Sequence, residues 1–115
     1  MRDNAILTKS FNFALRIIEL SNKLREQREF VISDQLLRAG TGIGAQVEEA
    51  QAGQSRRDFV AKMAIASKEA RETRYWLRLV KESSLNGIDV SSELKDVEEL
   101  IRLLTAIVKT AGSSR

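Results

Sequence analysis

Apolar residues recur along this chain at alternating intervals of three and four, in four blocks separated by short polar gaps. The first block spans about residues 8–28, with Phe11, Ala14, Ile18 and Leu24 on one stripe and Phe13, Ile17 and Leu20 beside it. In the second, at 34–52, Leu36, Gly40, Ile43, Val47 and Ala50 step by four, three, four and three, which is a heptad seam. The third, at 56–85, gives the longest register: Phe59, Met63, Ala66, Ala70, Thr73, Leu77 and Val80. The fourth, at 90–111, repeats it with Val90, Leu94, Val97, Ile101, Leu104, Val108 and Ala111. Each block predicts an amphipathic helix. The short gaps turn neighbouring helices back on one another, so the expected fold is all-α, an antiparallel up-down-up-down four-helix bundle over residues 1–115 as a single domain.

The punctuation agrees with these blocks. Ser33 or Asp34 is the expected cap of the second helix. Ser55-Arg56-Arg57-Asp58 reads as a capping box before the third, the hydroxyl and the acid three residues on satisfying free amides. Asn86-Gly87 ends the third helix, and Gly-Ser-Ser-Arg is expected to be a frayed tail.

The run "LLRAGTGIGAQVEEAQAGQSRRDF" raises a different possibility, a glycine-rich phosphate loop. Such a loop needs a strand before it and a helix N-terminus after it. Here no alternating strand precedes Gly40, no Gly-Lys-Ser/Thr follows, and the heptad continues on both sides. Gly40 and Gly44 lie one turn apart and make a flat groove for close backbone approach, within the bundle or at a subunit contact. Gly42 points elsewhere.

Composition narrows the chemistry. Proline is absent, so nothing interrupts long helices. Histidine and cysteine are absent too, which excludes thiol nucleophiles, histidine bases, zinc sites and Glu-x-x-His di-iron sites. Glu48, Glu49, Glu69 and Glu72 therefore read as charge partners rather than a metal site. No enzyme activity and no cofactor is expected. No leader or membrane-length apolar run is visible, and the cysteine-free chain suits a cytoplasmic setting without a membrane partner.

The net charge of +3 is unevenly spread. Residues 56–82 carry eight basic and four acidic residues, whereas residues 31–55 carry one basic and three acidic. Arg71, Arg74, Arg78 and Lys81 repeat by three, four and three, forming a stripe about 100° around the third helix from its apolar seam. Arg56, Arg57 and Lys62 extend the positive charge toward its start. A line of guanidiniums suits phosphate oxygens; the alternative is a solvated face laced with ion pairs to Glu69, Glu72 and Glu82 or to acids of a neighbouring helix. Trp76 reads as a core or interface anchor rather than a base-stacking platform. Leu100, Leu103 and Ile107 form a second apolar row on the fourth helix, as Phe13, Ile17 and Leu20 do on the first. Arcs this wide point to self-association.

The stretch "LLRAGTGIGAQVEEAQAGQSRRDFVAKMAIASKEARETRYWLRLV", with the earlier "KSFNFALRIIEL", resembles the small four-helix-bundle proteins encoded in intervening sequences of bacterial 23S ribosomal RNA genes. That family is similar to the accessory variability proteins of diversity-generating retroelements. The match is densest at Arg38 to Ala45, Ser55 to Phe59 and Glu69 to Leu77. It implies a homopentameric ring with a basic surface and, for retroelement members, a reverse transcriptase partner and nucleic-acid binding. Gly42 and Gln46 depart from its pattern, where serine and asparagine are expected. The combined expectation is a non-enzymatic homo-oligomer binding RNA or an RNA/DNA hybrid through Arg56, Arg57, Lys62, Arg71, Arg74, Arg78 and Lys81. Gly40, Gly44, Trp76, Leu100, Leu103 and Ile107 are expected at the subunit interface. The alternative is a structural or protein-interaction bundle whose basic residues form inter-subunit salt bridges without binding nucleic acid.

Overall fold

The computed structural model describes residues 5–83 and 87–113. These form four α-helices and, among the described residues, no strand: α1 (Ala5–Glu26), α2 (Phe30–Gln51), α3 (Arg56–Glu82) and α4 (Ser91–Ser113). They pack side by side into a rod of 50 × 21 × 20 Å, consistent with a bundle. α2 is helical straight through Gly40, Gly42 and Gly44, so the glycine run is not a phosphate loop.

The expected seams of α2 and α3 are buried almost throughout. Leu36, Ile43 and Val47 face Met63, Ala66, Ala70 and Leu77 in one core, completed by Val97, Leu100 and Leu104 of α4. Thr73 sits in that core with its hydroxyl donating to the Glu69 carbonyl one turn back (2.8 Å), which removes the cost of burying it. On α1 the outcome differs from the expected stripe. Phe13, Ile17, Leu20 and Leu24 are buried, while Phe11 and Ile18 are 59% and 42% exposed. Both rows of α1 are apolar, so periodicity alone does not choose between them.

Close approach of α1 and α2 makes the choice. A Cβ on Gly40 would lie 2.8 Å from both Ile17 Cγ1 and Cγ2, and one on Gly44 would lie 3.4 Å from the Ser10 carbonyl oxygen. Nearer the turn, Ser33 Oγ donates to the Ser21 carbonyl (2.9 Å) and Ser21 Oγ donates to the Ser33 carbonyl (3.3 Å). Ser33 is therefore a buried tie inside α2, not its cap. α2 begins earlier than expected because α1 is followed by a tight turn with Arg28 in the left-handed region (φ 65°), the Glu29 amide donating back to the Leu24 carbonyl (2.9 Å). Glycine is the usual residue for that turn, and an arginine there gives no sequence signal.

The other ends follow their local chemistry. Ser55 Oγ accepts from the Asp58 amide (3.1 Å), and the Asp58 carboxylate accepts from the Gln54 amide (3.3 Å). Gly87 takes the left-handed conformation (φ 79°); Asn86, expected beside it, lies outside the described residues, as do the residues 84–85 where α3 was expected to end. Asp89 accepts from the Ser91 amide (2.9 Å) at the start of α4. That helix continues through Gly112 and Ser113, which were expected in the tail.

Candidate nucleic-acid interface

The capped start of α3 presents Arg56 and Arg57 to solvent, and the helix then carries its cations on its outer side and on the sides facing α2 and α4. They divide into two groups. Lys62 Nζ pairs with Glu49 of α2 at 3.1 Å, and Arg74 pairs with Glu98 of α4 at 3.3 Å. Arg71 donates to the Thr105 hydroxyl at 3.2 Å. Arg56, Arg57, Arg78 and Lys81 are exposed and take no part in an ion pair among the described residues. The stripe is thus partly neutralised, and what remains is concentrated at the two ends of α3 and beside Arg71.

A second cationic row lies next to it. Lys95, Arg102 and Lys109 are spaced by seven on α4, all exposed and free of ion pairs among the described residues. Arg102 and Lys109 flank Thr105 by three and four positions, and Lys95 precedes Glu98 by three. The Arg71–Thr105 and Arg74–Glu98 contacts therefore bring the row alongside α3. The signal for it was in the sequence, a strict heptad of cations, but in a segment without a net charge excess. Seven residues of helix span about 10.5 Å, so the row runs about 21 Å. With helix axes about 8–10 Å apart, these contacts set the cations of α3 and α4 along one shared face.

The aromatic pair sits at the outer edge of this face. Trp76 is half-buried against the core and donates from Nε1 to Glu72 (3.0 Å), with the neighbouring Tyr75 ring edge-on at 5.1 Å and 70°. Arg38 of α2 also holds Glu72 in a short hydrogen-bonded pair, with its other nitrogen 3.7 Å from Glu69. The Arg38 bond first and the Trp76 bond second hold the Glu72 carboxyl below the ordinary glutamate value, against a smaller opposing desolvation. A depressed carboxyl stabilises the fold above the unfolded-state pKa and loses that contribution as pH falls through the lower folded value. Emission from Trp76, the sole tryptophan, is therefore expected to shift in that acid window as its bond to Glu72 is lost. Glu72→Gln should abolish the transition; its persistence in that variant would refute the assignment.

The departures Gly42 and Gln46 lie on the α2–α3 side. A Cβ on Gly42 would come 3.2 Å from Glu69 Cδ, and Gln46 Oε1 and Glu69 Oε1 are buried acceptors without a hydrogen-bond partner.

Half of the residues expected at a subunit interface are used within one chain. Gly40 and Gly44 are covered by α1, and Leu100 is 2% exposed in the core. Their small size and apolarity are explained by packing of a single protomer. Trp76, Leu103 and Ile107 are partly buried, the last two lining a cleft of about 580 Å³ at one end of the rod with Ile6, Phe59 and Met63. A run of exposed apolar residues lies elsewhere, on α1: Phe11, Leu15 and Ile18. Phe11 and Ala14 share a shallow groove with Thr41 and Ala45 of α2, and exposed Leu37 lies one turn from Thr41. Among the described residues no cluster of acids could hold a metal, and no helix is long and apolar enough to cross a membrane.

Comparison with known proteins places a family model and solved structures against this chain. The family model of the 23S rRNA-intervening sequence protein matches residues 2–106. A crystal structure from Bacteroides thetaiotaomicron, described as a protein of unknown function from the S23 ribosomal protein family, is 45% identical and superposes with a TM-score of 0.84. The similarity covers 91% of this chain and 99% of that one. No curated protein matches.

Proposed function

This chain belongs to the 23S rRNA-intervening sequence protein family, and from that premise we propose that it is a non-enzymatic homo-oligomer that binds nucleic acid across the outer face of α3 and α4. The observation that carries the proposal is the double row of solvated cations, Arg71, Arg78 and Lys81 beside Lys95, Arg102 and Lys109. Cations outside any ion pair retain counterions that a polyanion can displace, and that release drives association. Lys62 and Arg74 contribute less, being already paired. Arg56 and Arg57 extend the face at the start of α3.

The finer architecture belongs to the same proposal. An up-down-up-down order is supported by the α1–α2 contacts, Ser21 with Ser33, Ile17 at Gly40 and Ser10 at Gly44, whose numbers fall on one helix as they rise on the other. Copies associate through the apolar α1–α2 face, which lies away from the cations, and a ring of five is the assembly that the family resemblance implies. Assembly multiplies a weak contact by avidity. A reverse transcriptase is the partner implied by the retroelement resemblance, and co-precipitation with a retroelement reverse transcriptase tests it. The rival reading, inter-subunit salt bridges, is less well supported because the ion pairs of Lys62 and Arg74 close within one chain.

Fluorescence anisotropy with labelled RNA over a range of salt tests the binding. Arg78→Ala and Arg102→Ala are each expected to weaken binding to unrelated sequences alike and to reduce the salt slope by about 1. Arg74→Ala should do so less. Unchanged affinity in the Arg78 and Arg102 variants, or no binding at low salt, refutes the reading.

A further inference from the structure

We infer that Tyr75 is a base-stacking residue, and that the nucleic acid taken by the α3–α4 face is single-stranded; the inference rests on the binding reading above. Tyr75 is 53% exposed, the most exposed aromatic after Phe11, and it stands beside the α3 cations rather than among the α1 apolar residues. Arg71 precedes it by four positions and Arg78 follows by three, so both occupy adjacent turns on its side of α3. Neither guanidinium covers the ring: among the described residues the cation–π contact is Arg25 over Phe30. The phenol has no hydrogen-bond partner there either.

The ring is nonetheless braced. Its edge meets Trp76, and Trp76 is fixed by packing on the core and by its bond to Glu72, itself clamped by Arg38. A held aromatic plane open to solvent and bordered by phosphate-binding cations is the arrangement that stacks an unpaired base while the backbone is neutralised on either side. Paired bases are already stacked inside their duplex and present only edges and phosphates to a surface of this kind. Stacking is tolerant of base identity, which suits a sequence without a base-reading motif.

The test compares one short single-stranded oligoribonucleotide of mixed sequence with the duplex it forms with its complement, both labelled for anisotropy. Wild-type protein is expected to prefer the single strand. Tyr75→Ala should weaken single-strand binding about ten- to a hundredfold without changing the salt slope, leave duplex binding unmoved, and be rescued by Tyr75→Phe. Thermal unfolding of Tyr75→Ala checks that the loss is not one of folding. Equal affinity of the wild type for both ligands, or unchanged single-strand affinity in Tyr75→Ala, overturns the inference. If Arg78→Ala still flattens the salt slope in that case, the binding reading survives alone; if wild type binds neither ligand at low salt, both fail.

Discussion

Phe13→Ala is expected to lower folding stability by about 3–5 kcal/mol, whereas Phe11→Ala, two positions away, should change it by less than about 0.5 kcal/mol. The two phenylalanines are equivalent in sequence terms, each on an apolar row of one helix. Phe13 is 2% exposed and packed with Ile17, Leu20 and the α4 residues of the core, so truncation leaves a cavity that close-packed neighbours fill only in part. Phe11 is 59% exposed and surrenders little on losing its ring. Urea unfolding at several protein concentrations separates the two effects: Phe13→Ala should lower the midpoint at every concentration. Phe11→Ala should instead reduce the copy number seen by light scattering, because it removes the centre of the proposed contact between copies. Comparable midpoints for the two variants would show that the wrong row of α1 has been placed in the core.

Gly40→Ala is expected to destabilise the protein by about 2 kcal/mol, against the sign that helix propensity gives. Propensity alone favours alanine by about 1 kcal/mol. The added Cβ would lie 2.8 Å from two carbons of Ile17, and overpacking of this kind costs about 1–3 kcal/mol. The upper end applies because both atoms belong to a β-branched side chain, which is stiff at χ1 and cannot swing aside. Gly44→Ala makes the control: its Cβ would meet the Ser10 carbonyl oxygen at 3.4 Å, an ordinary contact, so the variant should be neutral or gain up to about 1 kcal/mol. Combining Gly40→Ala with Ile17→Ala should remove most of the penalty, since both carbons at 2.8 Å are gone and only the Ile17 Cβ position at 3.2 Å remains. A double-mutant cycle without coupling would mean that α1 and α2 do not meet at this point.

These two experiments also mark what the sequence held. Heptad spacing located all four helices and the seams of α2 and α3, and the Ser-x-x-Asp box located the capping of α3 by Ser55, because each is a local pattern with a local cause. The α1–α2 turn was misplaced because a non-glycine residue, Arg28, supplies the left-handed conformation, and Ser33 was then mistaken for a cap. The buried row of α1 was not legible, since it is decided by where Gly40 admits Ile17, a contact between residues 23 apart. For the candidate site, the stripe on α3 could be listed from spacing, yet which of its cations are neutralised depends on Glu49 and Glu98 of other helices. The α4 row was visible as Lys95, Arg102 and Lys109, but its relevance appears only once Arg71 and Thr105 set the two helices side by side.

The remaining seam, between α1 and α4, has a different character from the others. Lys9 meets Glu99 at 3.2 Å, and Arg16 reaches Asp96 and Ser92. Every other seam joins elements consecutive in the chain. Zipping up can therefore proceed hairpin by hairpin at small entropic cost, with the first and last rods clasping at the end, a route associated with rapid folding. Thermal breathing would run in reverse, parting the molecule first along the one line where stretches distant in the polypeptide meet.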